Sequence, residues 1–345
     1  MPVLLLHGYA QSSYAFIAPQ LQQDLVRHLL AKNFDVWLLD YRTSTALPSN
    51  VQQWTLDDVA RHDLPAAVRK VLSVTGRSEL LAFGHCMGAA SLAMSLLSGQ
   101  LRQDGGGKSL VAGAVLSQVP PFIVGGHYSQ YRRQMAAFWR YALRLEGINL
   151  AADHRVNAWE AVMDRLFETL PMAVEHTPYG ERFAEECAKA PGDGWPRSDV
   201  ATCKRVSGII GPLYLHKNVQ KSHALMDRYF GHGSISVLAQ VAKFFEYERI
   251  VTADGSNIYV TDDNMRAHLD FPIALLQGNR NQVFDPESAE RTASRINAVR
   301  SENPCRLLSI RGDYAHFDCL VGDGAHEDVF PAISAFLLEC SHAQS

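Results

Sequence analysis

Gly84-His85-Cys86-Met87-Gly88 places a thiol between two glycines, after the apolar run Glu79–Phe83 and before an Ala- and Leu-rich stretch, Ala89–Leu97. The pattern is Gly-x-Ser-x-Gly with cysteine in place of serine, and it does chemistry only where a strand turns sharply into a helix. Glycines on either side relieve clashes with the neighbouring strand and helix. The helix N-terminus then offers free N–H groups and partial positive charge to a thiolate. A buried cysteine in a tight turn is the bland alternative. Because both glycines, the strand and the helix are in register, Cys86 reads as a nucleophile.

Three other segments could complete such a site. His7-Gly8-Tyr9-Ala10 follows the apolar run Val3–Leu6. Alone it is an ordinary turn, but beside a nucleophile it is where a loop donates a backbone N–H to an oxyanion. Tyr9 and Met87 are the expected donors. A base belongs after the last strand, and His316 lies there in Arg311-Gly312-Asp313-Tyr314-Ala315-His316-Phe317-Asp318; Asp318 reads as a buttress of that loop. The third member belongs in Gly278-Asn279-Arg280-Asn281, where Asn281 stands at the position expected to hold an acid. With a cysteine nucleophile, that group needs to orient the imidazole more than to supply charge. Asp285 and Glu287 are the alternatives if the loop folds back.

The elements that must position these residues alternate along the chain. Strands are expected at Val3–Leu6, Phe34–Leu39, Glu79–Phe83 and Leu110–Gln118, and helices at Gln20–Leu30, Leu56–Leu72 and Ala89–Leu97. Strand and helix at this pitch imply a parallel sheet covered on both faces. The pattern resumes with strands at Phe271–Leu276 and Arg306–Ile310 and a closing helix at Val329–Glu339. Residues 1–120 and 268–345 therefore read as an α/β core. Residues 121–267 read as a helical lid inserted into it, with Phe122, Tyr128, Tyr131, Phe138, Trp139 and Tyr141 available for an acyl pocket or for the insertion's own core. Only Met1-Pro2 precede the first strand, and Phe34–Leu39 then falls at a sheet edge. This implies a shortened chain whose first strands are missing, a domain of a longer polypeptide, or an edge covered by another subunit.

Composition removes other classes. Of 345 residues, 47% are hydrophobic and 20% charged, and 32 Lys+Arg against 36 Asp+Glu leave a net charge of −4. That balance, without a basic run or stripe, argues against a nucleic-acid partner. Apolar runs fall well short of the ~20 residues that span a bilayer, and no signal-peptide pattern opens the chain. The six cysteines contain no C-x-x-C pair and read as reduced thiols in a cytoplasmic protein. Gly107-Lys108-Ser109 precedes a strand instead of opening a helix, the reverse of a phosphate loop. Histidines are abundant, but no H-E-x-x-H or clustered Cys/His spacing points to a metal.

Together these pieces resemble the α/β-hydrolase superfamily. Within it the chain is most similar to the lipase-like domain associated with glucose–methanol–choline oxidoreductases, a relative of acid lipases and polyhydroxyalkanoate synthases. The resemblance runs through His7-Gly8, Asp35 to Arg42, the Gly-His-Cys-Met-Gly turn, Ser117-Gln118-Val119, Thr202 to Val206, Tyr229-Phe230-Gly231, Gly278 to Asn281 and Tyr314 to Cys319. It implies covalent acyl transfer through a cysteine and no cofactor, while the substrate does not carry over; the expected partners are a small acyl ester or thioester substrate and a homo-oligomer or a fused or associated oxidoreductase domain. Three functions stay open: an ester or thioester hydrolase, an acyltransferase of the polyester-synthase kind, and a non-catalytic binding domain.

Overall fold

The computed structural model describes residues 1–126, 144–152, 162, 197–300 and 302–342. In chain order its principal elements are β1 (Pro2–Leu6), α1 (Leu25–Ala31), β2 (Asp35–Leu39), α2 (Leu64–Thr75), β3 (Leu80–His85), α3 (Met87–Leu97), β4 (Val111–Ser117), β5 (Gly147–Asn149), α4 (Arg197–Ile209), β6 (His232–Ser234), α5 (Ile235–Glu246), α6 (Asp262–His268), β7 (Ile273–Leu276), α7 (Glu287–Val299), β8 (Arg306–Leu307) and α8 (Phe330–His342). The main sheet has the order β2-β1-β3-β4-β7-β8, and every pairing in it is parallel. Between β4 and β7 no described residue joins this sheet; β5 and β6 form a separate antiparallel pair.

The central strands are continuous apolar runs because both faces of the sheet are covered. Every residue of β1, β3 and β4 is buried. On one face, α1 meets α8 where His28 Nε2 lies 3.0 Å from Ser334 Oγ. There α8 also presses on β4: a side chain at Gly113 would meet Cys340 Sγ at 2.6 Å. On the other face α3 is buried along its whole length, so its Ala and Ser side chains are the sizes that a helix between sheet and neighbours can carry.

Two expected elements differ in extent. The helix anticipated from Gln20 starts at Leu25, because Asp24 accepts the Arg27 N–H at 2.8 Å and so caps it. Arg27 then folds its guanidinium back onto the Ala18 and Leu21 carbonyls, holding the preceding residues as a turn. The last strand is only Arg306–Leu307, exposed at the sheet edge. At the opposite edge, β2 is exposed to half-buried and has no further strand beside it among the described residues. Tyr128, Tyr131, Phe138, Trp139 and Tyr141 lie outside the described residues; Phe122 is half-buried under the Arg249 guanidinium. No described helix is long and apolar enough to cross a membrane.

A close contact in the molecule's centre sets α3 against the end of β1. A methyl group at Gly88 would fall onto the His7 carbonyl and within 2.5 Å of the Leu6 carbonyl, both rigid backbone. Gly88→Ala is therefore expected to lower unfolding free energy by at least about 2 kcal/mol, as overpacking does. A urea titration of both proteins checks this, and an unchanged midpoint would mean that α3 can back away from β1.

Candidate active site

Cys86 is the single residue between β3 and α3. Its φ of 57° and ψ of −123° are strained for a residue with a side chain. Two sets of contacts hold it there. Its N–H donates to the Ser117 carbonyl at 2.9 Å, and its own carbonyl accepts from Ala89 and Ala90 at 3.0 and 3.2 Å. Gly84 is required alongside, since a side chain there would meet the Ala89 Cα at 2.7 Å. Met87 is the first residue of α3, so its N–H has no intrahelical acceptor. The thiol side faces Gly8, whose added Cβ would lie 3.3 Å from Sγ.

The loop after β1 is fixed from several directions. Tyr41 stacks on His7 at 4.2 Å and donates its hydroxyl to the His7 carbonyl at 2.6 Å. Gln11 Oε1 accepts the Gly8 N–H at 3.0 Å. Tyr9 donates its hydroxyl to the Ser234 carbonyl at 3.0 Å, and Ala10, at φ 51°, accepts the Gly231 N–H at 2.9 Å. This loop therefore runs beside Cys86 and is tied to β6. His7 itself is a packing residue, buried so completely that its pKa falls to about 4.

A pocket opens over Cys86. From the core it is lined by Tyr9, Met87, Val283 and Phe284, and from the stretch after residue 120 by Ile209 and Ile210 at the end of α4 and by Leu238, Val241, Ala242 and Phe245 of α5. Its lining is almost wholly apolar. The α5 roof is pinned by buried Gln240, which accepts the Leu56 N–H at 2.9 Å and donates to Asp57 and to the Val251 carbonyl, both at 3.0 Å.

His316 lies on the same side of the sheet. Its ring is 5.2 Å from that of His85 and 5.9 Å from Phe284, a pocket residue. Its loop hangs on the segment after α4, where the Leu213 carbonyl accepts the N–H groups of His316 and Phe317 at 3.0 and 2.5 Å. Asp318 braces the loop from within, accepting from Ala315 at 2.7 Å, Leu215 at 3.2 Å and Asn218 Nδ2 at 2.8 Å. Burial pushes its carboxyl up to about 7 against those three hydrogen bonds.

Of the three candidates for the third position, the fold brings Asn281 to His316: Asn281 Nδ2 is 3.1 Å from His316 Nδ1. Asp285 instead accepts the Glu287 N–H at the start of α7, and Glu287 is exposed. The polarity of the Asn281 contact can be read from its surroundings. Its Oδ1 accepts the backbone N–H groups of Val283 and Phe284 at 2.9 and 3.1 Å, so the amide nitrogen must face the ring. That nitrogen also donates to Gln118 Oε1 at 3.0 Å, and the same oxygen accepts the Gly278 N–H. Asn281 therefore donates to His316 Nδ1. A neutral imidazole so bonded carries its proton on Nε2. Gln118 and Leu213 had no functional signal in the sequence, since each acts through a contact more than 100 residues away.

A parallel sheet with helices on both faces, whose central strand delivers a strained residue at a helix start under an apolar pocket, defines the α/β-hydrolase class of fold. A family model described as the alpha/beta hydrolase family matches residues 3–257, and the chain belongs to that family. Sterol esterase 2 of Saccharomyces cerevisiae is 31% identical over 109 residues, which are 29% of this chain and 20% of the yeast protein. Lipase lipl-3 of Caenorhabditis elegans is 31% identical over 99 residues, 26% and 24% of the two chains. Lipase member K of Homo sapiens is 30% identical over 95 residues, 25% and 24%. The chain thus matches a quarter or less of the length of these relatives. Among solved structures, a lipase in its open form aligns with a TM-score of 0.55 at 15% identity over 99% of this chain and 90% of the other. A monoacylglycerol lipase from Paleococcus ferrophilus aligns at 0.52 and 13%, over 98% and 94%. At such identities the likeness is one of fold.

His85, next to Cys86, generates a pH dependence. Desolvation lowers its pKa from 6.5 to about 3 in the folded chain. Between these values the unfolded chain takes up a proton that the folded chain refuses, so this contribution is complete above 6.5 and is lost as pH falls. Asp318 acts in the opposite sense, holding a proton in the folded chain that the unfolded one lacks. His85→Gln is expected to reduce the loss of stability on acidification below about pH 6 by about 1.4 kcal/mol per pH unit. Urea midpoints taken through that range test it; parallel curves for the two proteins would place the acid-sensitive group elsewhere.

Proposed function

We propose that the protein is a carboxylic ester or thioester hydrolase that works through an acyl-cysteine. The observation that carries this reading is Cys86, a thiol in a strained strand-to-helix turn at the floor of an apolar pocket. The lipase and esterase names of its relatives agree with it. In this mechanism the Cys86 thiolate, favoured by the α3 N-terminus, attacks the acyl carbonyl. The N–H groups of Tyr9 and Met87 receive the oxyanion. The residues over the pocket from α4 and α5 act as a lid that excludes water and receives the acyl chain.

The Asn281 polarity narrows the substrate. With its proton on Nε2, His316 can donate toward the sulfur or the leaving group but cannot accept the thiol proton there. An alkoxide leaving group requires a proton supply that this tautomer does not regenerate. A thiolate leaves unprotonated, because thiols ionise near pH 8.5. Attack on a thioester then only exchanges one carbon–sulfur bond for another. The same tautomer lacks the base that water needs for deacylation, and this favours a second reading, transfer of the acyl group to a thiol acceptor. The narrower kinship with the domain associated with glucose–methanol–choline oxidoreductases, an oxidoreductase partner or second copy along β2, and a cytoplasmic location rest on the sequence features given above.

Intact mass measured during reaction with p-nitrophenyl esters and acyl thioesters tests the nucleophile. One acyl group is expected on the native chain and none on Cys86→Ala; turnover undiminished in Cys86→Ala would sink the assignment. Asn281→Asp supplies an acceptor to Nδ1 and is expected to raise p-nitrophenyl and alkyl ester hydrolysis by about 10², the worth of a general base. Acylation by thioester should change far less. Some stability is lost because Gln118 Oε1 then faces a carboxylate. Equal effects on both substrates would mean that the tautomer does not limit the reaction.

A further inference from the structure

Away from Cys86, the fold gathers Cys203 of α4, His216 and His223. Their donor atoms all lie within 4.8 Å of one another and all three side chains are buried. Cys203 Sγ is 3.3 Å from His216 Nε2. The two imidazoles are 5.7 Å apart, and Tyr214 stands edge-on to both, at 5.5 and 6.1 Å. We propose that Cys203, His216 and His223 bind a divalent transition ion of the zinc type, which locks the segment carrying His216 and His223 to α4.

The donor set and its dimensions support this. One thiolate with two imidazoles suits borderline-soft zinc, and adjacent sulfur and nitrogen ligands of tetrahedral zinc are about 3.5 Å apart, given Zn–S near 2.3 Å and Zn–N near 2.0 Å. The three donors leave one corner of the tetrahedron. Binding exchanges the thiol proton for the metal, so the step is M2+ plus Cys–SH giving the cationic thiolate complex (Cys–S–M)+ plus a proton. The position of the cluster gives it a purpose. Leu213 and Leu215, beside His216, and Asn218 hold the His316 loop, while Ile209 and Ile210, at the end of α4, line the pocket over Cys86. An ion here would join the pocket roof to the support of His316.

The test is metal content of the full chain expressed with zinc, followed by cobalt substitution. Equimolar zinc and a near-ultraviolet sulfur-to-cobalt charge-transfer band are expected for the native chain and for Cys86→Ala. Both should be lost in Cys203→Ala and in His223→Gln. A chelator should lower the melting temperature of the native chain but not of either of these variants. A native chain that takes up neither metal overturns the proposal and leaves a thiolate–imidazole pair in its place. Metal retained in full by Cys203→Ala overturns it too. Because the native chain and Cys86→Ala are read by metal content and spectrum, failure here is separable from failure of the acyl-cysteine reading.

Discussion

The structure depends on one close approach: α3 lies so near the end of β1 that only hydrogen fits at Gly88, with Gly84 making the matching space on β3. With the helix that close, the chain must turn within a single residue, and that residue, Cys86, takes a φ of 57°. Strain of this kind persists only where surrounding contacts over-determine it. Here they are the Ser117 carbonyl on one side and the first turn of α3 on the other. The same approach sets Gly8 beside the thiol. The strained turn at Cys86 and the course of the loop after β1 are thus two consequences of one packing distance.

His316 is held differently. No strand ends at it; its position comes from the Leu213 carbonyl and from Asp318, a buried carboxyl that three donors surround. Two of those donors, Leu215 N–H and Asn218 Nδ2, belong to the stretch between β4 and β7. The pocket roof comes from the same stretch, and Gln240 nails it to the start of the helix at Leu56. The turn between β3 and α3 therefore places Cys86, and the stretch between β4 and β7 supports His316 and lines the pocket over Cys86.

This division sets what could be read from the sequence. β1, β3 and α3 are legible because a doubly covered parallel strand must be a continuous apolar run, and because Gly-x-x-x-Gly around Cys86 has a local steric cause. Asn281 and His316 are legible by their place after successive strands. Asp285 and Glu287 could not be dismissed on sequence, since only the observed cap on the Glu287 N–H shows where the Asp285 carboxylate points. The early start assigned to α1 misses because an Asp at an N-cap looks, letter by letter, like any polar residue in a helix. Cys203, His216 and His223 stay hidden for a further reason: their spacings of 13 and 7 residues correspond to no single element, and only the turns after α4 bring them together.

The substitution of asparagine for an acid at position 281 illustrates how far a letter falls short of a mechanism. An amide can face an imidazole with either end, and the two choices call for opposite tautomers. An oxygen toward Nδ1 would free Nε2 to take a proton; a nitrogen toward Nδ1 forbids it. What decides the matter is not Asn281 but the two backbone N–H groups of Val283 and Phe284, which need an acceptor and claim its oxygen. Gln118 reinforces the choice by offering its own oxygen to the amide nitrogen. Backbone hydrogen bonding in a loop thus sets which end of an amide meets the ring beyond it, and with that the ring's tautomer.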